Sequence, residues 1–322
     1  MQKALVFHGG GLGDLVNTLP AFRALRERFS GASFTCAGNL SFLSLFRDAG
    51  IFDQVVSIDG SGLHALWSES GLSPSIEEHL ESHQLVVTWM RSQALQENLA
   101  RLGLRVAAFA GPFPPPPGSG PVSDYMKAPL YELGIKSFPE RPSLSLPPEV
   151  KRNSPSFPGL LVHPGSGSRH KNWPPEFFAG SAREIARREC IKIAVVAGPA
   201  DRAPAAELIR LLGDDLEAEF RDLGTTGLAG LLSSAGLVLG NDSGVLHLAG
   251  ALGTRVAAIF GPTDPAIWGV NQKNAVNLSP DLPCAPCSRE DMRECALRQC
   301  LHAVPPEEVV EEVCTLMEHS PL

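Results

Sequence analysis

The 322-residue chain has no apolar run approaching the roughly 20 residues that a membrane-crossing helix needs. It therefore reads as a soluble globular protein. It has no excess of positive charge either. Lys and Arg number 27 against 35 Asp and Glu, a net charge of −8, and a nucleic-acid partner would require a basic face. No secretory leader is apparent: Met1-Gln-Lys-Ala-Leu-Val-Phe7 passes directly into a strand-like run and a glycine loop, so a cytoplasmic location is expected. In that compartment the seven cysteines stay reduced unless they hold a metal. The dinucleotide fingerprint is also missing. In His8-Gly-Gly-Gly-Leu-Gly-Asp-Leu15, counting G-x-G-x-x-G from Gly9 or from Gly11 puts Asp14 or Val16 where the last glycine belongs. A carboxylate at that helix start would repel a pyrophosphate, which argues against a nicotinamide or flavin cofactor.

What the chain does have is length for two ordinary domains, at 43% hydrophobic and 19% charged residues. Strand-like runs at Ala4–Phe7, Ser33–Ala37, Gln54–Ile58, Leu85–Thr88 and Arg105–Phe109 alternate with helical patterns, the first of them Asp14–Phe29. Such alternation implies βαβ units and a parallel sheet. A Pro/Gly run from Gly111 to Pro121 breaks the pattern, a helix follows near Ser123–Leu133, and the proline-punctuated stretch Ser137–Pro158 reads as a linker. A second series begins at Gly159, with strands at Leu160–His163 and Ile191–Ala197, helices at Pro174–Arg187, Ala203–Leu212 and Thr226–Ser233, and a short strand at Glu219–Asp222. The expected fold is α/β, two Rossmann-like domains with parallel sheets across a cleft, divided as 1–150 and 151–322. The closing helix, Pro305–Met317, is free on this reading to pack back on the first domain.

Three loops carry polar groups suited to chemistry. The first presents Asp14 among glycines, either as a general base or as a cap on its own helix. In the second, Leu161-Val-His-Pro-Gly-Ser-Gly-Ser-Arg-His-Lys171, small residues allow close backbone approach while Ser166, Ser168, Arg169 and Lys171 can donate to anionic oxygens. The third, Gly240-Asn-Asp-Ser-Gly244, joins an apolar strand to a helix and aims backbone N–H groups outward, a place for phosphate or simply a capped helix.

Gly11-Leu-Gly-Asp-Leu-Val-Asn-Thr-Leu-Pro-Ala21, His163-Pro-Gly-Ser-Gly167 with Lys171-Asn-Trp-Pro174, and Asn241-Asp-Ser-Gly-Val-Leu-His247 with Phe260-Gly-Pro-Thr-Asp264 occur in that order. With these segments the chain resembles glycosyltransferase family 9, the ADP-heptose:lipopolysaccharide heptosyltransferases. The resemblance implies the GT-B arrangement, with acceptor bound by the N-terminal domain and nucleotide-sugar by the C-terminal one. It implies an inverting transfer that requires no cofactor, and the sequence contains no Asp-x-Asp pair to hold a metal on a diphosphate. Asp14 aligns with the catalytic base, in a loop with Gly11 and Gly13 on the acceptor side. Lys171, Ser166 and Gly167 align with phosphate contacts, and Asp242, Ser243, Gly244 and His247 with the donor-binding turn, Asp242 reaching the sugar. Asp201 stands near the position where some members place a nucleoside-binding glutamate, and the Pro112–Pro117 run is unusual for an acceptor domain. A lipid-linked glycan acceptor and peripheral contact with the inner membrane are further implications. Arg23, Arg26, Arg28 and Phe42-Leu-Ser-Leu-Phe46 are the only residues that suggest such contact, and each also has an ordinary structural reading.

Cys284, Cys287, Cys295 and Cys300 fall within one short loop and can form a structural zinc site or two disulfides, or stand as unused thiols. Cys36, Cys190 and Cys314 read as small buried residues. Competing functions are a nucleotide-sugar epimerase or hydrolase on the same fold, which would need further acid/base groups around the donor sugar, and a non-catalytic nucleotide-sugar-binding protein.

Overall fold

The computed structural model describes residues 2–68, 72–108 and 113–319, and the chain divides into two compact units, Met1–Pro147 and Pro148–Leu322. In the first, β1 (Lys3–His8), β2 (Ser33–Gly38), β3 (Gln54–Ser57), β4 (Leu85–Thr88) and β5 (Val106–Ala108) form a parallel sheet in the order β3-β2-β1-β4-β5. In the second, β6 (Leu160–His163), β7 (Ile193–Ala197), β8 (Leu216–Arg221), β9 (Leu237–Asn241), β10 (Val256–Ile259) and β11 (Ala275–Leu278) are again all parallel, in the order β11-β10-β9-β6-β7-β8. The central strands are buried along their whole length because helices cover both faces, which is why they read as unbroken apolar runs. The edge strand β8 alternates half-buried with exposed residues instead.

Each sheet reverses its strand order once, between β1 and β4 in the first unit and between β6 and β9 in the second. At such a reversal the loops leaving the carboxyl ends of neighbouring strands diverge to opposite faces and open a crevice. The loops at these two points are His8–Asp14 with Trp89–Arg91, and His163–Lys171 with Asn241–Ser243.

Several elements differ from expectation. The first helix is two, Leu12–Asn17 and Leu19–Arg28, because Pro20 lacks the N–H that would continue the ladder through Thr18. The helix expected near Ser123–Leu133 is two single turns, Val122–Tyr125 and Ala128–Tyr131, the second with Pro129 near its start. Within the stretch read as linker, Pro148–Asn153 is helical and packs on the Thr225–Ser234 helix of the second unit. Residue 109 of the expected fifth strand and residues 111 and 112 of the proline run lie outside the described residues. The edge strand β11 was not anticipated, since Ala275-Val-Asn-Leu278 is short and only half-buried. The closing helix is Pro306–His319. It lays Val309, Val310 and Val313 into the core of the second, against the Pro175–Glu189 helix. Arg28 lies over the Phe29 ring, Arg26 pairs with Asp53, Arg23 donates to the Ser143 carbonyl, and Leu43, Leu45 and Phe46 are buried, so the fold itself engages the residues that suggested membrane contact. No described helix is long and apolar enough to cross a membrane.

Val313 is fully buried. Val313→Asp would set an unpaired carboxylate in that core and lower the stability of the second unit by about 3–5 kcal/mol. Hydrogen exchange should then show protection lost over β6–β11 and kept over β1–β5; the converse pattern would assign the helix to the first unit.

Candidate functional site

At the first crevice, the loop after β1 is held by a buried histidine. The single proton of the Thr18 hydroxyl goes to the Asp14 carbonyl (2.7 Å), so His8 Nε2, 3.1 Å from Thr18 Oγ1, must be the donor in that pair. His8 Nδ1 is then a lone pair and accepts the Gly10 N–H at 3.3 Å. Burial lowers the His8 pKa to about 4, and protonation would also set Nδ1–H against the Gly10 N–H. Gly10 tolerates no side chain, because a Cβ would lie 2.6 Å from Asp14 Cβ and 2.9 Å from His8 Cε1. Asp14 Oδ2 accepts the Gly11 N–H at 2.9 Å, so the carboxylate does cap its helix. It also faces a cavity of about 200 Å³ lined by His8, Gly10, Trp89, Arg91, Phe113 and Met126. Gly11 is exposed and Gly13 half-buried at the start of the helix. The cap and the solvent-facing carboxylate are one group, so the two sequence readings of Asp14 are compatible.

At the second crevice the organiser is Asn241, the last residue of β9 and fully buried. Its amide nitrogen donates to the carbonyls of Pro164 (2.8 Å) and Gly165 (3.3 Å), and its oxygen accepts the Trp173 N–H (2.8 Å). One side chain thus ties both ends of the glycine loop to the neighbouring strand. Between those ends Ser166 Oγ lies 2.6 Å from the Ser168 carbonyl and 2.7 Å from Asn172 Oδ1, and accepts the Ser168 N–H at 3.2 Å, so this hydroxyl folds the loop on itself. Gly167 is exposed with open space around it.

Lys171 and Asp242 meet. Lys171 Nζ donates to Asp242 Oδ2 at 2.7 Å, and Thr263 Oγ1 donates to the same oxygen at 2.8 Å. Ser243 is the N-cap of the Gly244–Ala251 helix, with no side-chain cap bond, and His247 is buried one turn on. Behind the turn, His163 Nε2 stands 3.2 Å from Asp201 Oδ2 and its Nδ1 stands 3.5 Å from Ser243 Oγ. Asp201 Oδ2 is thus engaged by His163. Burial raises its pKa, but the His163 hydrogen bond and charge, with the Gly198 N–H, outweigh that and hold it below the ordinary carboxylate range. Its carboxylate packs under Gly165, where any Cβ would collide with it.

Sequence reasoning missed the strut role of Asn241, the Thr263 contact and the His163–Asp201 pair. Thr263 was signalled by its place in the Phe260–Asp264 segment; the Asn241 strut follows only from the register that sets β6 beside β9, and the His163–Asp201 pair from the register that sets β6 beside β7. All seven cysteines are free thiols; of the three expected to be buried, Cys36 is, Cys190 is exposed and Cys314 only partly buried. Cys284, Cys287, Cys295 and Cys300 line one cavity, although among the described residues no group of three or more His, Cys, Asp or Glu is arranged to hold a metal ion.

Comparison with known proteins places this geometry. The model of glycosyltransferase family 9 (heptosyltransferase) matches residues 126–297. The chain belongs to that family. It is 33% identical over 138 residues to lipopolysaccharide heptosyltransferase 1 of Pseudomonas aeruginosa, covering 42% of this chain and 38% of the relative. It is 28% identical over 183 residues to lipooligosaccharide heptosyltransferase 2 of Campylobacter jejuni, covering 54% and 55% respectively. The chain thus matches about half or less of the length of these relatives. The fold is that of the E. coli ADP-heptose lipopolysaccharide heptosyltransferase II structure, with a TM-score of 0.76 over 99% of both chains at 16% identity.

Replacing Asn241 with Ala would leave two carbonyls and one N–H buried without partners and lower stability by about 2–4 kcal/mol, read as a loss in thermal midpoint. Asn241→Asp should be no better, since a carboxylate cannot donate to Pro164 and Gly165. His8 adds a pH dependence. Its folded pKa of about 4 lies below the unfolded value of about 6.5, so its contribution is complete above pH 6.5 and is lost as pH falls toward 4, on the order of 3 kcal/mol in all. Urea unfolding across that range should show a flatter profile for His8→Gln than for the native chain; parallel profiles would mean that His8 titrates normally.

Proposed function

We propose that the protein is an inverting glycosyltransferase that moves a sugar, heptose from ADP-heptose, to a lipopolysaccharide core or related lipid-linked glycan. The observation that carries this reading is the convergence, at the β6–β9 strand reversal, of an open glycine loop bearing Lys171 with the Ser243–Gly244 helix start. An ammonium and outward N–H groups at one crevice suit a departing diphosphate. Asp242 would accompany them, its Oδ2 held by Lys171 and Thr263 and its other oxygen directed to a sugar hydroxyl.

In this reading Asp14 takes the proton of the acceptor hydroxyl as that oxygen attacks the anomeric carbon and the bond to the diphosphate breaks on the opposite face. A single displacement of this kind inverts the anomeric configuration. The charge that develops on the leaving group is met by Lys171 and backbone N–H groups, so no metal takes part in the displacement. Work at the cytoplasmic face of the inner membrane follows from the acceptor class.

Asp14→Asn is the informative variant, because the amide oxygen can still accept the Gly11 N–H and keep the cap. Turnover, followed as ADP release from ADP-heptose with core glycolipid, should fall about 10²- to 10⁴-fold while ADP binding by calorimetry is retained. Binding lost together with turnover would move Asp14 to the donor and end its assignment as base. Lys171→Ala should weaken ADP binding roughly tenfold or more, the worth of a charge-assisted hydrogen bond. ADP release at full rate without any acceptor would favour the hydrolase reading instead.

A further inference from the structure

The first unit holds a second cavity, of about 680 Å³, at the carboxyl ends of β1, β2 and β3. It adjoins the cavity that Asp14 faces at the Gly9–Gly10 link, since Gly9 lines one and Gly10 the other. The segment after β4 separates them in the same way. Trp89 and Arg91 line the Asp14 cavity, and Met90 between them lines this one. The Met90 methyl packs on the loop backbone, where a Cβ on Gly9 would come within 3.0 Å of it.

The far wall is built by the stretch after β3. The chain turns through Asp59–Gly62, with Gly62 at φ 77°, and Leu63–Trp67 then forms a 3-10 helix. Three residues per turn set i and i+3 on one side. Leu63 and Leu66 are buried in the core, so His64 and Trp67 share the next side, and both line the cavity. Phe7 meets the half-buried Trp67 ring edge-on at 6.0 Å. Opposite, Asn39 caps the Leu40–Asp48 helix with its oxygen, which accepts the Ser41 N–H at 2.9 Å, and its amide nitrogen remains a donor. Ser57 Oγ accepts the Gly60 N–H at 3.2 Å, which leaves its own proton to donate. Among the described residues no hydrogen bond or ion pair engages the Asp59 carboxylate or the His64 ring.

Amide, hydroxyl, carboxylate and imidazole groups around an indole suit a sugar, whose hydroxyls take the hydrogen bonds and whose C–H face takes the ring. Charge narrows the class. Among the described residues no Lys or Arg lines this cavity, and Asp59 is an anion. A phosphate or carboxylate on the sugar would meet that carboxylate with no permanent cation to offset it.

We propose that this cavity is a subsite for an uncharged sugar residue of the acceptor, next to the residue whose hydroxyl Asp14 deprotonates. The chain thereby selects a neutral stretch of glycan over one bearing phosphate or carboxylate. The proposal rests on the reading of Asp14 as base and extends it to the neighbouring sugar. Trp67 takes the C–H face, Asn39 and Ser57 donate to hydroxyl oxygens, and Asp59 accepts from a hydroxyl while repelling an anion. These residues set specificity and touch no reacting atom.

The test titrates the full-length protein, without donor, with methyl mannoside and its 6-phosphate, followed by saturation-transfer NMR. The neutral glycoside should bind about tenfold tighter than the phosphate, the effect of one unscreened like charge. Asp59→Asn should bring the two within about twofold and Asp59→Lys should reverse their order, whereas a merely structural Asp59 would shift both alike. His64→Ala, at an exposed position, and Trp67→Phe, which keeps a ring against Phe7, should each weaken the neutral glycoside about threefold or more. In turnover, Trp67→Phe should raise the acceptor KM by a similar factor and leave kcat nearly unchanged. Equal binding of the two probes, or preference for the phosphate, overturns the selection of a neutral sugar. No binding of either, or binding indifferent to His64 and Trp67, overturns the subsite. Asp14→Asn should leave these titrations unaltered, so failure of the base assignment shows only in turnover and failure of the subsite only in binding.

Discussion

The second unit's site hangs on the amide of Asn241. The Lys171–Asp242 contact presupposes that the loop after β6 lies against the end of β9, and the Asn241 side chain holds it there by bonding Pro164, Gly165 and Trp173 at once. An amide is the only short side chain that both donates and accepts in this way. Aspartate could not donate, and Ser or Thr could not reach three partners. The strut fixes Trp173, whose indole N–H bonds the Val304 carbonyl and whose ring packs edge-on to Phe178 at 5.0 Å. The loop between its two tethered ends can then stay glycine-rich and open, because its position is set from outside rather than by its own packing.

The same solution appears twice with different chemistry. β1 and β6 each end in a buried histidine, His8 and His163, placed at the start of a glycine loop beside the strand reversal. His8 bonds Thr18 and the Gly10 N–H, and that loop presents a carboxylate. His163 bonds Asp201 and stands near Ser243, and that loop presents an ammonium. In both places a glycine sits where the neighbouring carboxylate leaves no room for a Cβ: Gly10 over Asp14 and Gly165 over Asp201. The fold supplies two crevices of one design; on the proposed reading, the side chains that line them make one a site for taking a proton and the other a site for holding phosphate.

Most of this frame was legible because parallel sheets write themselves as apolar runs between glycine turns, and β4 and β6 fall where the pattern puts them, residue for residue. The site loops were legible for a related reason. Backbone that must approach a ligand closely has to be small and polar, and such stretches stand out between apolar strands. What could not be read is pairing across the sheet. Asn241 is 68 residues from Trp173, Lys171 is 71 from Asp242, and Asp201 is 38 from His163. Local pattern assigns each residue a type of chemistry, whereas strand order decides which partner it meets. Asp201 shows the consequence: by type it suits a nucleoside hydroxyl, and by position it holds a histidine. The closing helix is a similar case, since its apolar stripe demands a partner without specifying which.

On the proposed reading of this crevice as a diphosphate site, the Lys171–Asp242 pair explains how an anionic residue can stand there. An isolated Asp242, 7% exposed, would repel a diphosphate through a medium of low effective dielectric. Paired with Lys171 and bonded by Thr263, its charge is offset before any ligand arrives, and the helix start adds a favourable field for an anion. An arriving diphosphate need not break the pair. A lysine ammonium has three donors, and one is enough for Asp242. The others remain for phosphate oxygens, so the ligand adds to the cluster instead of replacing a member of it. The position of Lys171 then matters more than its charge, because an ammonium displaced by an ångström or two cannot serve both anions. Its position is set by the turn Arg169–Lys171, and that turn is fixed at one side by Asn241 through Trp173 and at the other by Arg298 from the cysteine loop.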